Sequence, residues 1–535
     1  MVYCQQAEIW LLDPLEAIYP DQNNLSKYGN KWSADYPQGS FADVHLLVKV
    51  PKGTKIALSA SLADRVYNDY WSKLIAVPVE ENTGLDSRTE QFKGIKNPYV
   101  IRRAPFHVFE VIKPLEVPEL VSVDNYSAFR LSIPTEEWPV GRHKIKIVVS
   151  GDSWEKVGHF NVNIYDAVVP ALIHSKFFYT NWFSLKNMEE KHEVERWTDD
   201  WFNVLQNYAK MMAHGRQNSI TIPGELITYE NDEIKLEEEM LLRFINVFRD
   251  QGFTWFESPH LMNRGENDDW GDPELKVALT KKRYYKENGK EDVARMVTLF
   301  KHFAEKNGLT KNWLQHISDE PTAIQAKCYA DISRQVKSIF PEIKVMEATN
   351  DRDGLVGAVD FWCPLINDFQ ENESFFRARE KHGDRILVYT CLIPGGPWLN
   401  RTLDMEHIRQ VYFGWGAAHY NTLGFLHWGL NYYVADPFTQ SAVHHPAPGA
   451  APNNFLPAGD THILYPGDSG PLSSIRFEAH RTGIEDYELL QKLKDKNNSL
   501  AQKQINKLFK DYTTYSMSLK KYRKVKRKIL KELIQ

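Results

Sequence analysis

The pattern of hydrophobic and polar positions changes near residue 167. Before that point, short apolar runs are separated by Pro, Gly and Asn, and polar and apolar residues alternate in His143–Val149. Because successive side chains of a strand point to opposite faces, this alternation predicts half-buried strands and an all-β sandwich. Phe160–Tyr165 is expected to be its last strand, and no helix is predicted before it.

Beyond Ala167, apolar strands alternate with long amphipathic stretches, which is typical of parallel β/α architecture. The predicted strands are Leu172–Trp182, Ser219–Ile222, Thr254–Glu257, Trp313–Asp319, Lys344–Ala348, Val359–Pro364, Ile386–Cys391 and Thr422–Trp428. The predicted helices are Val194–Met212, Glu237–Gln251, Asp292–Asn307, Ala323–Phe340, Phe375–His382 and Met405–His419. Eight strands predict a closed (β/α)8 TIM-like barrel. An open doubly wound sheet is the alternative, but no Gly-rich phosphate turn follows the first strand.

Two further segments complete the predicted organisation. Residues 437–470 are rich in Pro and Gly and are expected to form a functional loop over the barrel mouth, with a plain linker as the alternative. From Glu485 the chain is expected to be helical, and its Lys-rich end is typical of a solvated helix face. The predicted fold is multidomain α/β, with the sandwich at 1–167, the barrel at 168–484 and a helical C-terminal segment at 485–535.

Composition narrows the class of protein. Hydrophobic residues make up 42% and charged residues 25% of the 535 positions, as in ordinary globular proteins, and no stretch of about 18 apolar residues predicts a membrane span. The net charge of −5 argues against a nucleic-acid partner. Cys4, Cys328, Cys363 and Cys391 lack paired short spacings, so they are expected to be buried thiols rather than zinc ligands or disulfides.

The N-terminus shows neither the basic nor the apolar region of a secretory signal. With Met1 as the native start, we expect a cytoplasmic protein. If a signal peptide has been removed, we expect a secreted or periplasmic one. Nothing in the sequence predicts an oligomeric state.

The strongest chemical signal is a pair of adjacent carboxylates, Asp319 and Glu320, in front of Pro321. Proline disfavours the helical region for the preceding residue, so Glu320 is expected to be extended, at the end of the fourth barrel strand. Barrel active sites form at the C-terminal ends of strands. The structural alternative is a helix start, because Thr322–Gln325 has the form of a capping box and acids favour a helix N-terminus.

Aromatic and polar residues mark other predicted strand ends. The candidate substrate-binding residues are Trp182, Trp362, Tyr389, His427, Trp428 and Asn431. A cleft with carboxylates at its floor and aromatic rings at its walls suits a carbohydrate, whose ring faces are apolar and whose hydroxyls need polar partners. Taken singly, each aromatic residue also fits core packing.

Adjacent carboxylates strain the usual mechanism of glycoside hydrolysis. That mechanism needs two carboxyl groups several ångströms apart, whereas neighbouring side chains of a regular strand point to opposite faces. A substrate-assisted mechanism removes the difficulty, because the 2-acetamido oxygen of the sugar is then the nucleophile. The enzyme needs only an acid and a carboxylate that orients the amide.

The region Phe177–Leu490 resembles glycoside hydrolase family 123, the β-N-acetylgalactosaminidases, and the related bacterial catalytic-domain group. The resemblance rests on Tyr179–Phe183, Ile317–Pro321, Tyr389–Cys391, Gly424–Asn431, Ser474–Glu478 and Gly483–Glu488. It implies a β-sandwich followed by a (β/α)8 barrel, and retaining, substrate-assisted hydrolysis. It further implies that Glu320 is the general acid/base and that Asp319 holds the acetamido group.

Three other functions are weighed against release of N-acetyl-β-galactosamine from glycans. The chain could be a glycosidase for another sugar, or a carbohydrate-binding barrel protein without turnover, which would lack an acid. A metal-dependent hydrolase using His316, His427 or His444–His445 would need a ligand spacing that is missing here. We therefore expect a glycan as the partner, with no metal, other cofactor or membrane.

Overall fold

The computed structural model describes residues 7–85, 88–265, 269–349, 351–447 and 450–534. Cys4 and Pro448 of the proline-rich segment, both part of the predictions above, lie outside the described residues. Cys328 and Cys363 are buried and Cys391 is half-buried, all as free thiols. Within these ranges, no helix has both the length and the apolar character that crossing a membrane requires.

The N-terminal region consists of two sheets that pack face to face. Its strands are β1 (Glu8–Leu12), β2 (Lys31–Gln38), β3 (Phe41–Lys49), β4 (Lys55–Leu62), β5 (Arg65–Val66), β6 (Trp71–Val79), β7 (Phe106–Pro114), β8 (Glu119–Val121), β9 (Tyr126–Pro134), β10 (Gly141–Gly151) and β11 (Trp154–Val168). One sheet has the order β1-β3-β9-β6-β7 and the other the order β2-β11-β10-β4-β5, with β8 beside β4. Val44, Phe129, Ile145 and Phe160 from both sheets share one core. This is the arrangement that the alternating pattern predicts.

One short helix departs from the prediction for this region. α1 (Glu90–Lys93) is a single turn in the connection between β6 and β7. Gly94 follows it with a φ of 68° and donates its amide to the Glu90 carbonyl. A left-handed glycine at this position ends a helix, so the turn does not grow.

The rest of the chain alternates strands with helices. The remaining strands are β12 (Phe178–Asn181), β13 (Ser219–Thr221), β14 (Ile227–Glu230), β15 (Glu233–Leu236), β16 (Trp255–Glu257), β17 (Met262–Asn263), β18 (Lys276–Val277), β19 (Trp313–Gln315), β20 (Lys344–Thr349), β21 (Phe361–Pro364), β22 (Arg385–Ile386), β23 (Val388–Thr390), β24 (Gly424–His427), β25 (Val443–His444), β26 (Phe455–Leu456), β27 (Tyr465–Pro466), β28 (Pro471–Ser474), β29 (Phe509–Asp511) and β30 (Thr514–Tyr515). The remaining helices are α2 (Leu185–His192), α3 (Asp199–His214), α4 (Glu238–Arg249), α5 (Gly289–Lys306), α6 (Ala326–Ile339), α7 (Ile366–Glu371), α8 (Glu373–Lys381), α9 (Ile408–Tyr420), α10 (Ile475–Leu508) and α11 (Leu519–Ile534).

Each of the eight predicted strands of this region has a parallel counterpart in the structure. The predicted strand Ile386–Cys391 is divided into β22 and β23, so there are nine such strands among the described residues. They form a six-stranded sheet in the order β13-β16-β19-β20-β21-β22 and a three-stranded sheet in the order β12-β24-β23. The Leu387 amide donates to the Trp362 carbonyl at 2.9 Å, and the Asn218 amide to the Tyr179 carbonyl at 3.1 Å, so the two sheets meet at both edges. β20 and β21 are joined by a 3-10 turn at Asp353–Leu355 instead of an α-helix in the described residues. The multidomain α/β architecture is therefore confirmed.

Residues after the last parallel strand return to the sandwich. β28 pairs antiparallel with β7, and β27 extends that sheet by one more strand. The predicted boundary between residues 484 and 485 falls inside α10, whose helix begins at Ile475. The C-terminal segment is also interrupted by the β29–β30 hairpin. The Lys-rich end forms α11, which buries Tyr522, Val525 and Ile529 on one face and keeps most of its lysines outside.

Buried ion pairs connect α10 to the sandwich. Arg481 binds Glu485 at 2.6 Å and Glu478 at 2.9 Å, and its guanidinium lies 3.4 Å from Asp43 of β3. Arg130 of β9 faces Asp43 at 2.8 Å and Glu478 at 3.2 Å. All of these side chains are at least nine-tenths buried. These buried ion pairs therefore hold the sandwich and the α/β region together. Removing one partner would leave a buried charge without compensation.

We expect Arg481→Met to lower the free energy of unfolding by about 3–5 kcal/mol, because removing one partner of a buried ion pair leaves the other charge uncompensated. Urea unfolding followed by tryptophan fluorescence measures the change. Lys186→Met is the control, since Lys186 pairs with Glu190 on an exposed face at 3.6 Å. The control should change stability by less than about 0.5 kcal/mol. Equal effects of the two substitutions would contradict a stabilising role for the buried ion pairs of Arg481.

Candidate active site

Asp319 and Glu320 lie on a turn that follows β19, not at the end of the strand itself. β19 ends at Gln315, and Glu320 has a φ of +43°. The prediction of an extended Glu320 is therefore wrong. Pro321 disfavours the right-handed helical region, and the Glu320 backbone adopts the left-handed one, which is uncommon for a residue other than glycine. Because the chain leaves the strand, both carboxylates face the same cavity.

The cavity has a volume of about 370 Å³ and opens beside the ends of the parallel strands. Its polar and aromatic lining residues are Trp182, Asp319, Glu320, Tyr389, Trp428, Tyr432 and His445. Pro446 and Leu456 of the proline-rich segment also line it. The size falls in the range of small-molecule sites, and its rings and carboxylates suit a sugar.

Glu320 is held by Tyr389 from β23. The Tyr389 hydroxyl donates a short hydrogen bond to Glu320 Oε1. Burial, together with the charge of Glu320, raises the pKa of Tyr389 well above its usual value. The phenol therefore stays protonated and remains a donor to the carboxylate.

Asp319 is held through its backbone and lies among charged neighbours. Arg264 Nη2 donates to the Asp319 carbonyl at 2.7 Å, and its guanidinium stacks 3.6 Å above the Trp270 ring. Burial raises the pKa of the Asp319 carboxyl, His260 and Arg264 counteract this rise, and Glu347 adds to it. The net result is a raised pKa, so Asp319 keeps its proton to a higher pH than an exposed aspartate.

A chain of buried charged groups lies behind the two acids. His316 Nε2 is 3.0 Å from Glu257 Oε2, and His316 Nδ1 is 3.1 Å from Glu347 Oε1. Ser219 Oγ donates to Glu257 at 2.5 Å, and His260 Nε2 lies 3.2 Å from Glu347 Oε1. Burial alone lowers the pKa of His316, but hydrogen bonds to both glutamates and their charges raise it to about 10. His316 is therefore an imidazolium between two carboxylates.

The same residues supply the metal-binding candidate among the described residues. Ligand atoms of His260, His316 and Glu347 lie within 4.8 Å of one another. Both ring nitrogens of His316 face carboxylate oxygens, which favours the doubly protonated ring. Hydrogen bonds of the His316 ring to Glu257 and Glu347 account for the close approach of these side chains.

Three predicted substrate-binding residues line the cavity: Trp182, Tyr389 and Trp428. Trp428 and Tyr432 form a tilted aromatic pair with ring centroids 5.3 Å apart. Trp182 stands with its ring edge-on to His260, at 5.7 Å. The cavity therefore has aromatic surface contributed by the segments that end β12 and β24.

The other three predicted substrate-binding residues do not line the cavity. Trp362 is fully buried, packs against Phe375 and Phe376 of α8, and donates its indole N–H to Asp384. It points outward from β21, whereas its neighbours Phe361 and Cys363 belong to the interior cluster. A strand alternates its side chains between the two faces, and this register puts Trp362 on the helix side. The prediction that Trp362 binds substrate is wrong.

His427 and Asn431 act behind the cavity wall. His427 Nδ1 accepts from Arg401 Nη2 at 2.7 Å and from the Gly429 amide at 3.0 Å, so this ring nitrogen is occupied. Asn431 bonds the backbone of Ser184 in both directions, at 2.8 and 3.0 Å. Both side chains are fully buried and join the loops that carry Trp182 and Trp428. Their predicted contact with substrate is replaced by a structural role.

Sequence patterns missed Tyr432 and the buried Glu347, and they named His445 only as part of a histidine pair for a metal. Tyr432 directly follows the quoted Gly424–Asn431 motif, and His445 lies in the proline-rich segment predicted to form a functional loop. Glu347 carried one usable signal, because it is a lone charge inside the apolar strand β20. A buried charge in a strand requires partners, and those partners are found here beside the acids.

The fold and part of the sequence match known proteins. Residues 266–493 match the model of the glycoside hydrolase 123 catalytic domain. No curated protein matches the chain. A family 123 glycoside hydrolase from Clostridium perfringens has a TM-score of 0.73 at 13% identity, over 99% of this chain and 97% of that chain.

Two other solved structures are much less similar. An endo-beta-1,4-mannanase from Thermotoga petrophila has a TM-score of 0.34 at 12% identity, over 60% of this chain and 78% of its own. A GH10 xylanase from Thermobacillus composti has a TM-score of 0.33 at 13% identity, over 58% and 97%. The resemblance indicated by the motifs is confirmed for this region: residues 266–493 match the catalytic domain of glycoside hydrolase family 123, and this match supports a glycosidase.

Proposed function

We propose that this glycosidase is a retaining, substrate-assisted enzyme that releases N-acetyl-β-galactosamine, or a related 2-acetamido sugar, from glycans. One observation carries the proposal. Among the described residues, Asp319 and Glu320 are the only carboxylates that line the cavity. An enzyme that supplies its own nucleophile needs two carboxyl groups on opposite sides of the scissile bond. Neighbours on one turn fit the substrate-assisted scheme instead.

In this mechanism Glu320 is the general acid/base. It protonates the leaving oxygen as the 2-acetamido oxygen of the sugar attacks the anomeric carbon and the glycosidic bond breaks. Glu320 then removes a proton from the water that opens the cyclic intermediate, which gives retention. The Tyr389 hydroxyl fixes the carboxyl group toward the cavity through its hydrogen bond.

Asp319 orients the acetamido group. Its carboxylate accepts the N–H of the amide, which pushes the amide oxygen toward the anomeric carbon and stabilises the positive charge that develops on the nitrogen. Trp182 and Trp428 supply ring faces for the apolar face of the sugar.

We further interpret the two parallel sheets as one (β/α)8 barrel that lacks the helix between its fifth and sixth strands. The strand order and the hydrogen bonds at both edges support this interpretation. The acids then lie at the C-terminal ends of the strands, where barrel enzymes carry their active sites.

The proposed sugar follows from the family and from one relative. The Clostridium perfringens enzyme is described in connection with glycolipid glycan hydrolysis. The same class of substrate is our proposal for this chain. A carbohydrate-binding protein without turnover has less support, because such a protein would lack an acid and both acids face the cavity here.

A panel of 4-nitrophenyl β-glycosides tests the proposal directly. It contains galactose and glucose, each with a 2-acetamido and with a 2-hydroxyl group. We expect release of nitrophenol only from the 2-acetamido compounds, with the galactose form preferred. Faster cleavage of a 2-hydroxyl glycoside would exclude substrate assistance, and no cleavage by a folded enzyme would favour the binding protein.

We expect Glu320→Gln to lower kcat for an unactivated glycoside by about 10²–10⁴-fold, because the leaving alkoxide then receives no proton. A 4-nitrophenyl substrate should lose much less, since nitrophenolate leaves without protonation. Initial-rate kinetics on both substrates measure the difference. Glu190→Gln, at an exposed position of α2, is the matched control and should leave both rates unchanged. An equal loss on the two substrates would show that Glu320 is not the acid.

We expect Asp319→Asn to lower kcat more than it raises KM, because its hydrogen bond strengthens as charge develops on the acetamido nitrogen. A thiazoline derived from N-acetylgalactosamine resembles the cyclic intermediate and should inhibit the wild-type enzyme far more tightly than the free sugar. Intact-mass spectrometry with a slow 2-fluoro sugar should find no covalent adduct. An adduct on Asp319, without thiazoline inhibition, would identify it as an enzymic nucleophile.

We expect the acid side of the kcat/KM profile to report Asp319. Burial raises its pKa, and the proposed mechanism needs the carboxylate. Activity should therefore be present above this raised pKa and lost as the pH falls through it, with a midpoint above about 3.9, the value of an exposed aspartate. If the enzyme keeps full activity down to a pH near the pKa of an exposed aspartate, the pKa of Asp319 is not raised. Steady-state rates in a series of buffers of constant ionic strength provide the measurement.

A further inference from the structure

The chain leaves β19 at a point where a side chain takes over the hydrogen bonds of the sheet. β19 and β20 are paired in parallel only as far as Gln315 and Val345. The His316 amide then donates to Ser258 Oγ at 3.0 Å, and the amides of Ile317 and Ser318 both donate to Glu347 Oε2, at 2.8 and 3.0 Å. Glu347 is a fully buried residue of β20. Its carboxylate therefore accepts hydrogen bonds from two backbone amides that have no partner in the sheet. Buried backbone amides need such an acceptor.

The Glu347 side chain is held in place by three other side chains. Its Oε1 faces His316 Nδ1 at 3.1 Å and His260 Nε2 at 3.2 Å. Tyr329 of α6 donates its hydroxyl to Oε2 at 3.1 Å. Burial alone would raise the pKa of Glu347, but the hydrogen bonds and charges of the two histidines lower it to about 2. An ionised carboxylate accepts at both oxygens and donates at neither, so it matches a surrounding made of donors.

We propose that Glu347 is a positioning residue of the glycosidase, which sets the direction in which Asp319 and Glu320 enter the cavity. It does so through the amides of Ile317 and Ser318, which directly precede the two acids. This inference rests on the proposed function, because it assigns Glu347 to the reaction of the same acids. Glu347 is not one of the residues that line the cavity, so it acts through the turn that carries the acids.

His316 and Glu257 lock this arrangement from the other side. The His316 ring bridges Glu347 on β20 and Glu257 on β16, so three adjacent strands share one set of charge-assisted hydrogen bonds. The rings of His260 and His316 also meet the Trp182 ring edge-on, at 5.7 and 6.3 Å. The network thus fixes the turn with the acids and one aromatic wall of the cavity together.

Glu347→Gln keeps the size of the side chain but removes the charge and one of the two acceptor oxygens. Its amide has one acceptor oxygen and one NH2 group, and whichever way it is oriented the NH2 group faces donors. The turn must then shift or leave an amide without a partner. A displacement of about 1 Å at a reacting group costs about 10²-fold in rate.

The test compares Glu347→Gln with the wild-type enzyme on the 4-nitrophenyl glycoside of N-acetyl-β-galactosamine. We expect kcat to fall about 100-fold and KM to change less than about threefold, because the cavity that binds the sugar keeps its lining while the acids are misplaced. Hydrogen–deuterium exchange should show faster exchange at the amides of Ile317 and Ser318. Tyr329→Phe removes a single donor to Glu347 and should lower kcat about 3–10-fold in a fully folded protein.

Asp486→Asn is the matched control for the loss of a buried carboxylate. Asp486 accepts from Trp415 Nε1 at 2.9 Å and Tyr522 at 2.7 Å and pairs with Lys526 at 2.8 Å, and none of these residues lines the cavity. We expect it to lower the unfolding midpoint but to leave kcat within about twofold. A similar fall of kcat in Asp486→Asn and Glu347→Gln would overturn the positioning role. So would a rise in KM at unchanged kcat, or wild-type exchange at the two amides.

Failure of the proposed function can be told apart from failure of this inference. If the wild-type enzyme cleaves only a 2-hydroxyl glycoside, the substrate-assisted mechanism fails, and the same variants are compared on that substrate. If it cleaves no glycoside of the panel, amide exchange at Ile317 and Ser318 decides alone. Unchanged exchange in Glu347→Gln would then reject the role of Glu347.

Discussion

The interaction on which the site depends is the contact between the Glu347 carboxylate and the backbone that follows β19. A buried carboxylate is costly unless donors surround it, and buried amides are costly unless acceptors meet them. Here the two groups satisfy each other, because the amides of Ile317 and Ser318 donate hydrogen bonds to Glu347 Oε2. The interruption of the strand is therefore stable. Only an interrupted strand lets two neighbouring residues, Asp319 and Glu320, face one cavity.

The same constraint applies to two other buried charges of this protein, Arg401 and Arg476. Arg401 is fully buried, and burial lowers its pKa to about 10. It donates to Asn181 Oδ1 at 2.6 Å and to His427 Nδ1 at 2.7 Å, and so joins the ends of β12 and β24 behind the aromatic wall. Arg476 connects α10 to Glu110 of the sandwich at 2.6 Å and donates to the Arg401 carbonyl. A continuous set of buried pairs therefore leads from the sandwich to the cavity wall, and the sandwich is part of the support of the site.

Sequence patterns predicted what depends on local periodicity and missed what depends on register. The parallel strands were found because buried strands are apolar and amphipathic helices repeat every 3.6 residues. Asp319 and Glu320 were found because two acids interrupt an apolar run. Trp362 was misassigned because periodicity does not say which face of β21 turns inward. Glu347 was passed over because its role exists only through residues on another strand, and a single sequence contains no record of that pairing.

The backbone at Glu320 links the fold to the chemistry. A regular strand would send Asp319 and Glu320 to opposite faces, and only one of them would reach a sugar. The left-handed conformation of Glu320, with a φ of +43°, removes this restriction but keeps the two acids on adjacent residues. Consecutive Cα atoms are about 3.8 Å apart, so the acids approach the substrate from the same side. A nucleophile must attack from the face opposite the leaving group that the acid protonates, so the proposed mechanism does not use Asp319 as the nucleophile. In that proposal the attacking atom is the 2-acetamido oxygen of the substrate, and Asp319 orients this group.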